Sequence, residues 1–390
     1  MSVEYRPSFL GTGSAHPERS TTNEMVGEFV ANYSRTELEQ RSLPEDRISK
    51  ILEVRKRAVA EIAETIGIEN RYWCSGNESA STIGVEAGHN ALEASRVQAQ
   101  EIKGVILSTG LGDYLGTATA AIIAKELGIP EKVMAHDISA ACTGFAHAVY
   151  EACTNLSSPI GLDGPILVVS SETISRGMHP SKKGTVPIFG DGAGAVVVGV
   201  VEVEGNQPWP LFTWGANAEH IQKLYIPVGG SVEPITPQTP DEKRGVVMDN
   251  KFIFQIATEK MVEAGRDMAK KAAELKGKLG WLDWQNPKLI PHQANLLIME
   301  EVQHELGFKD EDVVVNIGQW ANTGSAAIPI ALDEAVREGR LTDKDSFIGV
   351  VFGSGLLWAG FIVHLYGLQK KWTQYPGNLK ASVAPLKSGT

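Results

Sequence analysis

Apolar positions along the chain alternate between short continuous runs and longer periodic stretches. Residues 104–108 and 288–292 are typical of strands, and a first strand and turn are predicted at 9–13. A helix cap is predicted at 21–24, ahead of a highly charged helical insertion at 35–66 that is interrupted near Pro44. Because strands alternate with helices throughout, the pattern predicts the α/β class. The insertion carries an apolar stripe, which favours an amphipathic helix covering the core or a partner subunit: Ile48, Ile51, Leu52, Val54, Ala58, Ile62 and Ile66.

An internal repeat relates two distant parts of the chain. Each copy predicts a helix end, a buried strand, a turn, and then a helix that opens on a polar residue and continues in small apolar ones. The first copy ends in Ala141-Cys142-Thr143-Gly144; the second contains a strand expected at 313–316 and ends in Ala321-Asn322-Thr323-Gly324. Upstream, 104–108 corresponds to 288–292. Duplicated βαβ halves of this kind pack about a pseudo-twofold axis, so we expect Cys142, Asn322 and the turn at His292 to converge.

Two glycine-rich segments separate these elements. The run from Phe189 to Ala195 precedes Val196-Val197-Val198 and predicts a turn entering a buried strand. A phosphate-binding loop is the alternative, but no Lys-Ser/Thr pair or helix follows the glycines, so close backbone packing is the better interpretation. Residues 206–250 are rich in Pro and Gly and predict surface loops.

Composition fits one large body. With 390 residues, 43% hydrophobic side chains, 40 glycines and 21% charged residues, the chain can bury a large core. We expect two fused, similar halves at 1–203 and 204–368, followed by a loose tail at 369–390. The three cysteines, Cys74, Cys142 and Cys153, lack metal-ligand spacing and predict neither a disulfide framework nor a metal site. We find no signal-like N-terminus and no apolar run of membrane-spanning length, so we expect a cytoplasmic protein without membrane association.

The net charge of −11 disfavours nucleic acid and anionic membranes as partners. An acidic carrier protein would need a local basic patch. The candidates are Lys182, Lys183 and a predicted helix carrying Lys260, Arg266, Lys270, Lys271, Lys276 and Lys278. Charges on a helix more often form a solvated face, so carrier docking and a purely solvent-facing role are both open.

Cys142 is the first candidate for chemistry. It lies where a strand is predicted to end and an alanine-rich helix to begin. Unpaired N–H groups and the positive end of the helix dipole stabilise an anion there, so we expect the pKa of this thiol to fall below its usual value of about 8.5. The alternative is that Cys142 is a small core residue among Ala, Gly and Phe.

Five motifs, in order along 8–366, resemble the thiolase superfamily and within it the ketoacyl synthase III group. They are Ala141-Cys142-Thr143-Gly144-Phe145, the run from Ile188 to Ala195, Pro291-His292-Gln293-Ala294-Asn295, the run from Asn322 to Pro329, and the run from Phe352 to Gly360. The resemblance implies a thiolase fold, a five-layered α/β/α/β/α sandwich of duplicated halves. It also implies a homodimer with a Cys, His and Asn catalytic triad, without cofactor or metal.

The resemblance implies a role for each matched residue. Cys142 would accept an acyl group, and its backbone N–H would form an oxyanion hole with that of Ser354. His292 and Asn322 would hold the thioester oxygen of a malonyl unit and stabilise the enolate formed as carbon dioxide leaves. Taken singly, His292 could be a core histidine and Asn322 a helix cap, but their matched repeat positions favour catalysis. The implied substrate-binding residues are Tyr114, Leu115, Gly116, Lys183, Phe189, Ala294, Asn295 and Phe352.

The implied reaction is acyl transfer to Cys142 followed by decarboxylative Claisen condensation, in fatty acid, polyketide or related lipid synthesis. The donor would be acyl-CoA or acyl-ACP and the acceptor malonyl-ACP or a similar carrier-bound thioester. Four positions depart from the group. Leu297 replaces a carrier-docking arginine, and Glu61 and Thr65 replace a tryptophan and an arginine at the coenzyme A site. Gly116 replaces a pocket-closing phenylalanine that reaches across the dimer, which predicts a medium or long acyl chain.

Three other functions share parts of this pattern. A degradative thiolase needs a second cysteine in the terminal glycine loop, and Phe352-Gly353-Ser354-Gly355 has none. A binding subunit without catalysis would not need Cys142, His292 and Asn322 together. Acyl transfer from Cys142 to an alcohol or amine uses the same fold and triad, and only carbon dioxide release separates it from condensation.

Overall fold

The computed structural model describes residues 3–158, 160–280 and 287–373. The described strands are β1 (Val3–Ala15), β2 (Ser20–Thr22), β3 (Asn70–Tyr72), β4 (Gly104–Ser108), β5 (Met134–Ile138), β6 (Ile166–Glu172), β7 (Gly192–Glu204), β8 (Leu211–Ala216), β9 (Leu224–Tyr225), β10 (Val247–Met248), β11 (Pro287–Pro291), β12 (Ser346–Gly353) and β13 (Leu357–His364). The described α-helices are α1 (Asn23–Gln40), α2 (Glu45–Thr65), α3 (Ala80–Ser95), α4 (Thr119–Glu126), α5 (Gly144–Ser157), α6 (Asn250–Leu279), α7 (Leu296–Leu306), α8 (Ile317–Trp320) and α9 (Ala327–Arg337). Within those ranges, each helix is too short or too polar to cross a bilayer.

Two mixed sheets form the framework. The first has the strand order β1-β7-β6-β4-β5, in which β4 runs parallel to both of its neighbours and β7 runs antiparallel to β1 and β6. The second has the order β11-β12-β13-β8, and its pairing is parallel only between β11 and β12. All strands of the first sheet precede residue 205, and all strands of the second follow residue 210.

Helices separate and cover the two sheets. Helices α3 and α4 lie on one face of the first sheet, and α6 and α7 lie on the outer face of the second. Between the sheets lie α5 and α9, whose residues share one apolar core with both. Phe145 of α5 packs there against Phe9 of the first sheet and Phe361 of the second. The molecule therefore has the predicted five-layered α/β/α/β/α arrangement of the thiolase fold.

The internal repeat is visible in the backbone. Strands β4 and β11 are equivalent, as are the helices α5 and α9, and each of these helices follows a short 3₁₀ turn, at Ala141–Thr143 and Gly324–Ala326. The equivalent residues Ala141 and Ala321 both have positive φ, 46° and 56°. The strand expected at 313–316 is wrong: this segment contributes only an isolated bridge from Val313 to Leu289.

Other sequence expectations need correction. The strand predicted at 9–13 extends over the whole of β1, without a turn, because the missing side chains of Gly11 and Gly13 let α3 pack directly on it. The insertion begins earlier than residue 35. Thr22 caps α1, and Pro44 precedes α2. The two helices form a hairpin whose apolar residues Val26, Val30 and Val59 pack against Trp73 and Val186.

The segment 206–250 is not entirely loop. Its residues Leu211–Ala216 form β8, the edge strand of the second sheet, and further residues form β9 and β10. The glycine-rich run at 189–195 leads into β7, as predicted. At the C-terminus, Thr373 N–H donates to Val200 O, and Trp372 Nε1 donates to Glu101. The rest of the expected tail, 374–390, lies outside the described residues.

Candidate active site

A cavity of about 320 Å³ opens between the ends of the two sheets. Its walls are mainly apolar, and it contains most of the predicted site residues: Cys142, Phe189, His292, Ala294, Asn295, Asn322, Phe352 and Ser354. The convergence expected from the repeat is therefore present in the fold. The other predicted substrate-binding residues, Tyr114, Leu115, Gly116 and Lys183, are not among its lining residues. Leu115 is 98% exposed, so within one copy of the chain it contacts solvent.

The strand β5 and the helix α5 position Cys142. The chain leaves β5 at Ile138, turns through Ala141 with φ of 46°, and places Cys142 in the 3₁₀ turn ahead of α5. The terminal glycine loop supports this turn from the other side. A Cβ at Gly353 would lie 2.9 Å from Cys142 N, so a side chain there would push the turn away.

The protonation state of Cys142 differs from the sequence expectation. Burial raises the pKa of its thiol to about 12, and the nearby Glu172 carboxylate adds to this rise, whereas the backbone N–H of Cys142 acts in the opposite direction. The turn is also 3₁₀ in form, and α5 itself starts only at Gly144. Burial therefore outweighs the effect of the helix terminus on the pKa of Cys142, and the thiol is protonated at neutral pH.

His292 follows β11 and is buried with 3% of its surface exposed. Its backbone N–H donates to Val350 O of β12, which fixes the turn. Burial lowers the pKa of the imidazole to about 4, so the ring is neutral at pH 7. Nδ1 is sealed from solvent and has no hydrogen-bond partner in the described chain. A proton on Nδ1 would be buried without an acceptor, which favours the tautomer with the proton on Nε2.

Asn322 occupies the position equivalent to Cys142 in the second copy. Its backbone forms an isolated bridge with Phe189, donating to Ile188 O and accepting from Gly190 N. Its Oδ1 accepts from Gly324 N at 2.9 Å, which fixes the orientation of the amide. The Nδ2 group makes no hydrogen bond to the described residues, and Asn322 lines the cavity, so this group is a donor available to a ligand.

Ser354 lies beside the nucleophile. Its hydroxyl donates to Leu224 O at 2.6 Å, which ties the terminal glycine loop to β9. Neither its backbone N–H nor that of Cys142 donates to a backbone carbonyl or a side-chain oxygen of the described chain. Two unpaired N–H groups beside a thiol are what an oxyanion hole requires.

Sequence reasoning missed Glu172, the last residue of β6, which also lines the cavity. Its carboxylate accepts from Gly110 N at 3.0 Å and from Ser325 Oγ at 2.7 Å. Burial nevertheless raises its pKa to about 7. A lone carboxylate at the end of a strand of apolar residues and serines was the available signal.

Apolar wall residues were missed as well. On α6, Ile253, Ala257 and Met261 line the cavity at intervals of four residues, a spacing that is legible in the sequence. Five more wall residues come from the segment predicted as surface loops: Leu224, Tyr225, Ile226, Val246 and Met248. No periodicity marks those, since Leu224, Tyr225 and Met248 lie in the two-residue strands β9 and β10, and Ile226 and Val246 lie in the chain next to them.

Chemically, the cavity joins a thiol, two unpaired backbone N–H groups, a neutral imidazole and an oriented amide within apolar walls. Hydrogen-bond donors in such surroundings stabilise developing negative charge on oxygen better than water does. This combination suits attack of the thiol on a thioester and stabilisation of an enolate.

Comparisons with known proteins agree with this geometry. The family model for 3-oxoacyl-[acyl-carrier-protein (ACP)] synthase III matches residues 136–217, and the model for its C-terminal region matches 285–365. The beta-ketoacyl-[acyl-carrier-protein] synthase III of Fusobacterium nucleatum subsp. nucleatum is 32% identical over 76% of this chain and 87% of its own length. The same-named protein of Desulfitobacterium hafniense strain Y51 is 34% identical over 77% and 88%.

Solved structures of ketoacyl synthases also resemble this chain over most of its length. The beta-ketoacyl-[acyl carrier protein] synthase III from Thermus thermophilus superposes with a TM-score of 0.71 at 28% identity, covering 92% of this chain and 98% of that one. The priming beta-ketosynthase from the R1128 polyketide biosynthetic pathway superposes with a TM-score of 0.73 at 29% identity, covering 94% and 98%.

Proposed function

Because the chain belongs to the 3-oxoacyl-[acyl-carrier-protein] synthase III family, we propose that it loads an acyl group on Cys142 and then carries out a decarboxylative Claisen condensation. The protein is an acyltransferase of the ketoacyl synthase III type. The observation that carries the residue assignment is the convergence of Cys142, His292 and Asn322 in one apolar cavity.

In the acylation step, Cys142 Sγ attacks the thioester carbonyl of the donor. A new carbon–sulfur bond forms, the carbon–sulfur bond to the carrier breaks, and the carrier thiol leaves with the proton that Cys142 loses. The N–H groups of Cys142 and Ser354 stabilise the oxyanion of the tetrahedral intermediate. Glycine at 353 keeps these two groups close together, because a side chain there would meet the Cys142 turn.

In the condensation step, a malonyl thioester binds with its carbonyl oxygen against His292 and Asn322. Loss of carbon dioxide leaves an enolate, whose negative oxygen accepts hydrogen bonds from His292 Nε2 and Asn322 Nδ2. The enolate carbon attacks the acyl carbonyl and a carbon–carbon bond forms. The carbon–sulfur bond to Cys142 then breaks, and the released thiolate takes up a proton from solvent. The low pKa of His292, about 4, keeps the ring neutral, so it acts as a hydrogen-bond donor rather than as an acid.

For the substrates, we propose acyl-CoA or acyl-ACP as donor, malonyl-ACP or a similar carrier-bound acceptor, and a medium or long acyl chain. The family relatives named as beta-ketoacyl-ACP synthases support the carrier-bound acceptor, and the apolar cavity supports an aliphatic chain. The pathway we propose is fatty acid, polyketide or related lipid synthesis.

We also propose a homodimer. Strand β5 is the edge of the first sheet, with one row of backbone groups open to pairing. The exposed Tyr114 and Leu115 belong to the loop before α4, and the first turn of that helix is tied to β5 through hydrogen bonds from Thr119 N and Ala120 N to Asp137. A second copy on this edge would cover them, and Gly116 could then contribute to the partner's acyl pocket. Sedimentation equilibrium measures the assembly directly, and a monomer at all concentrations contradicts it.

Intact-protein mass spectrometry tests the nucleophile. Incubation with a panel of acyl thioesters should add the acyl mass to the wild type and to the Cys74→Ser and Cys153→Ser variants, but not to Cys142→Ser. Persistence of the label in Cys142→Ser would contradict the assignment. Release of carbon dioxide from a malonyl donor separates condensation from acyl transfer to an alcohol or amine, which would proceed without it.

A further inference from the structure

The helical insertion is tied to the wall of the cavity through Tyr33. Tyr33 lies in α1, and its hydroxyl donates a hydrogen bond to Asp241 Oδ2 at 2.6 Å. Its ring meets that of His179 edge to face, with the ring centroids 5.2 Å apart and the planes at 81°. The hydrogen bond to Asp241 raises the pKa of the Tyr33 hydroxyl to about 12, so the phenol keeps its proton in the neutral range and acts as a donor.

Asp241 belongs to the segment that joins β9 to β10, which we name the 226–246 loop. It lies in a short 3₁₀ turn near the end of this loop. Its second carboxylate oxygen, Oδ1, lies 3.7 Å from His179 Nε2 and 3.5 Å from Arg244 Nε. The guanidinium of Arg244 in turn donates to two backbone carbonyl oxygens earlier in the loop. Asp241 therefore connects α1 to a network of contacts that fixes the later part of the loop.

Both ends of the 226–246 loop form part of the cavity wall. Ile226 and Val246 line the cavity, together with residues of the adjoining strands β9 and β10. The loop also packs closely on the chain at His179. Gly245 has a φ of 75°, and a Cβ there would lie 2.7 Å from His179 N. The contacts around His179 therefore hold an apolar part of the cavity wall in place.

We propose that Tyr33 is a positioning residue that holds the 226–246 loop against the cavity, and that it thereby determines how tightly a medium or long acyl chain binds. This inference rests on the proposed function, because it concerns the acyl chain of that reaction. An aliphatic chain gains affinity from each methylene that it buries against apolar walls. A wall that moves outward therefore weakens the binding of long chains more than that of short ones. The helical insertion thus contributes to chain-length specificity from outside the catalytic residues.

Calorimetric binding of octanoyl-CoA and acetyl-CoA to Cys142→Ser tests the proposal without turnover. Adding Tyr33→Phe keeps the ring against His179 and removes only the hydroxyl. We expect about a tenfold weaker affinity for octanoyl-CoA, equivalent to about 1.4 kcal/mol, and an unchanged affinity for acetyl-CoA. The matched control is Tyr5→Phe, because Tyr5 also donates its hydroxyl proton to a carboxylate, that of Glu202, but lies in β1 and is not among the lining residues. It should change neither affinity.

Two further measurements separate positioning from a general loss of structure. With Cys142 present, Tyr33→Phe should raise the KM for octanoyl-CoA and leave the acylation rate at saturation unchanged. Hydrogen exchange of the backbone amides in the 226–246 loop should become faster. An unchanged octanoyl-CoA affinity, an equal loss for acetyl-CoA, or unchanged exchange in the loop overturns the proposal. If Tyr33→Phe does not fold, Asp241→Ala removes the same hydrogen bond from the loop side and should give the same pattern. If octanoyl-CoA binds but wild-type Cys142 is not acylated, the proposed function fails, and the affinities still decide the role of Tyr33.

Discussion

The Cys142 thiol should remain protonated through the neutral range, and its alkylation rate reports this directly. Because each pKa unit corresponds to about 1.4 kcal/mol, a rise from 9.0 to about 12 disfavours the thiolate by about 4 kcal/mol. At pH 7 about one thiol in 100,000 is then ionised. Since the thiolate is the reactive form, the rate should increase about tenfold for each pH unit, without a plateau in the accessible range.

Iodoacetamide alkylation, followed by intact mass in a Cys74→Ser and Cys153→Ser background, measures this profile. Glu172→Gln removes the carboxylate that opposes the thiolate. Since Glu172 itself ionises near pH 7, variant and wild type should react alike below that pH, and the variant should react faster above it. Glu151→Gln is the control, because it removes a carboxylate from α5 outside the cavity.

Two results would refute this reasoning. A wild-type plateau with its midpoint below pH 8 would mean that the helix terminus governs the thiol after all. Identical alkylation rates for Glu172→Gln and wild type above pH 7 would mean that the charge of Glu172 does not affect the pKa of the Cys142 thiol. Thermal unfolding of each variant shows whether the fold is retained, since glutamine keeps the Ser325 contact but presents an amide to Gly110 N.

His292→Ala and Asn322→Ala should each lower malonyl decarboxylation about 100-fold while still permitting acyl labelling; undiminished carbon dioxide release in both would contradict the mechanism. Gly116→Phe should shift the preferred donor from longer to shorter chains, at about 0.8 kcal/mol per excluded methylene, whereas an acetyl preference in both proteins would show that this position does not set chain length. Gly144→Ala should destabilise the fold by about 1 to 3 kcal/mol, because its Cβ would overlap Ser108 Oγ; an unchanged melting temperature would disprove this packing.

Much of the framework could be predicted from the sequence because the repeat is encoded locally. The short apolar runs around Val105 and Leu289 and the small residues after Cys142 and Asn322 each form the expected strand or helix. The strand expected at 313–316 failed for a tertiary reason: apolar residues there pack beside β11, but only Val313 forms a backbone bridge. An apolar run alone does not reveal whether a strand partner is in reach.

The convergence of the candidate site residues could be predicted from the sequence, but their electrostatics could not. Motif and repeat position identified Cys142, His292 and Asn322, yet the pKa of Cys142 moves opposite to the expectation. Burial is a property of the whole fold, and the effect of Glu172 depends on a strand that lies thirty residues away in sequence. The prediction from the helix terminus considered only the turn around Cys142, so it could include neither burial by the rest of the fold nor the charge of Glu172.

The positive φ angles of Ala141 and Ala321 create a conflict for anyone who wishes to make this enzyme more heat-resistant. Glycine at either position would relieve about 1 to 2 kcal/mol of backbone strain, and a search guided by stability alone would select it. The same change would give new conformational freedom to the peptide that aims the thiol or the amide. Alanine allows fewer backbone conformations than glycine at these positions, so thermal tolerance is better sought in surface substitutions on α2 and α6.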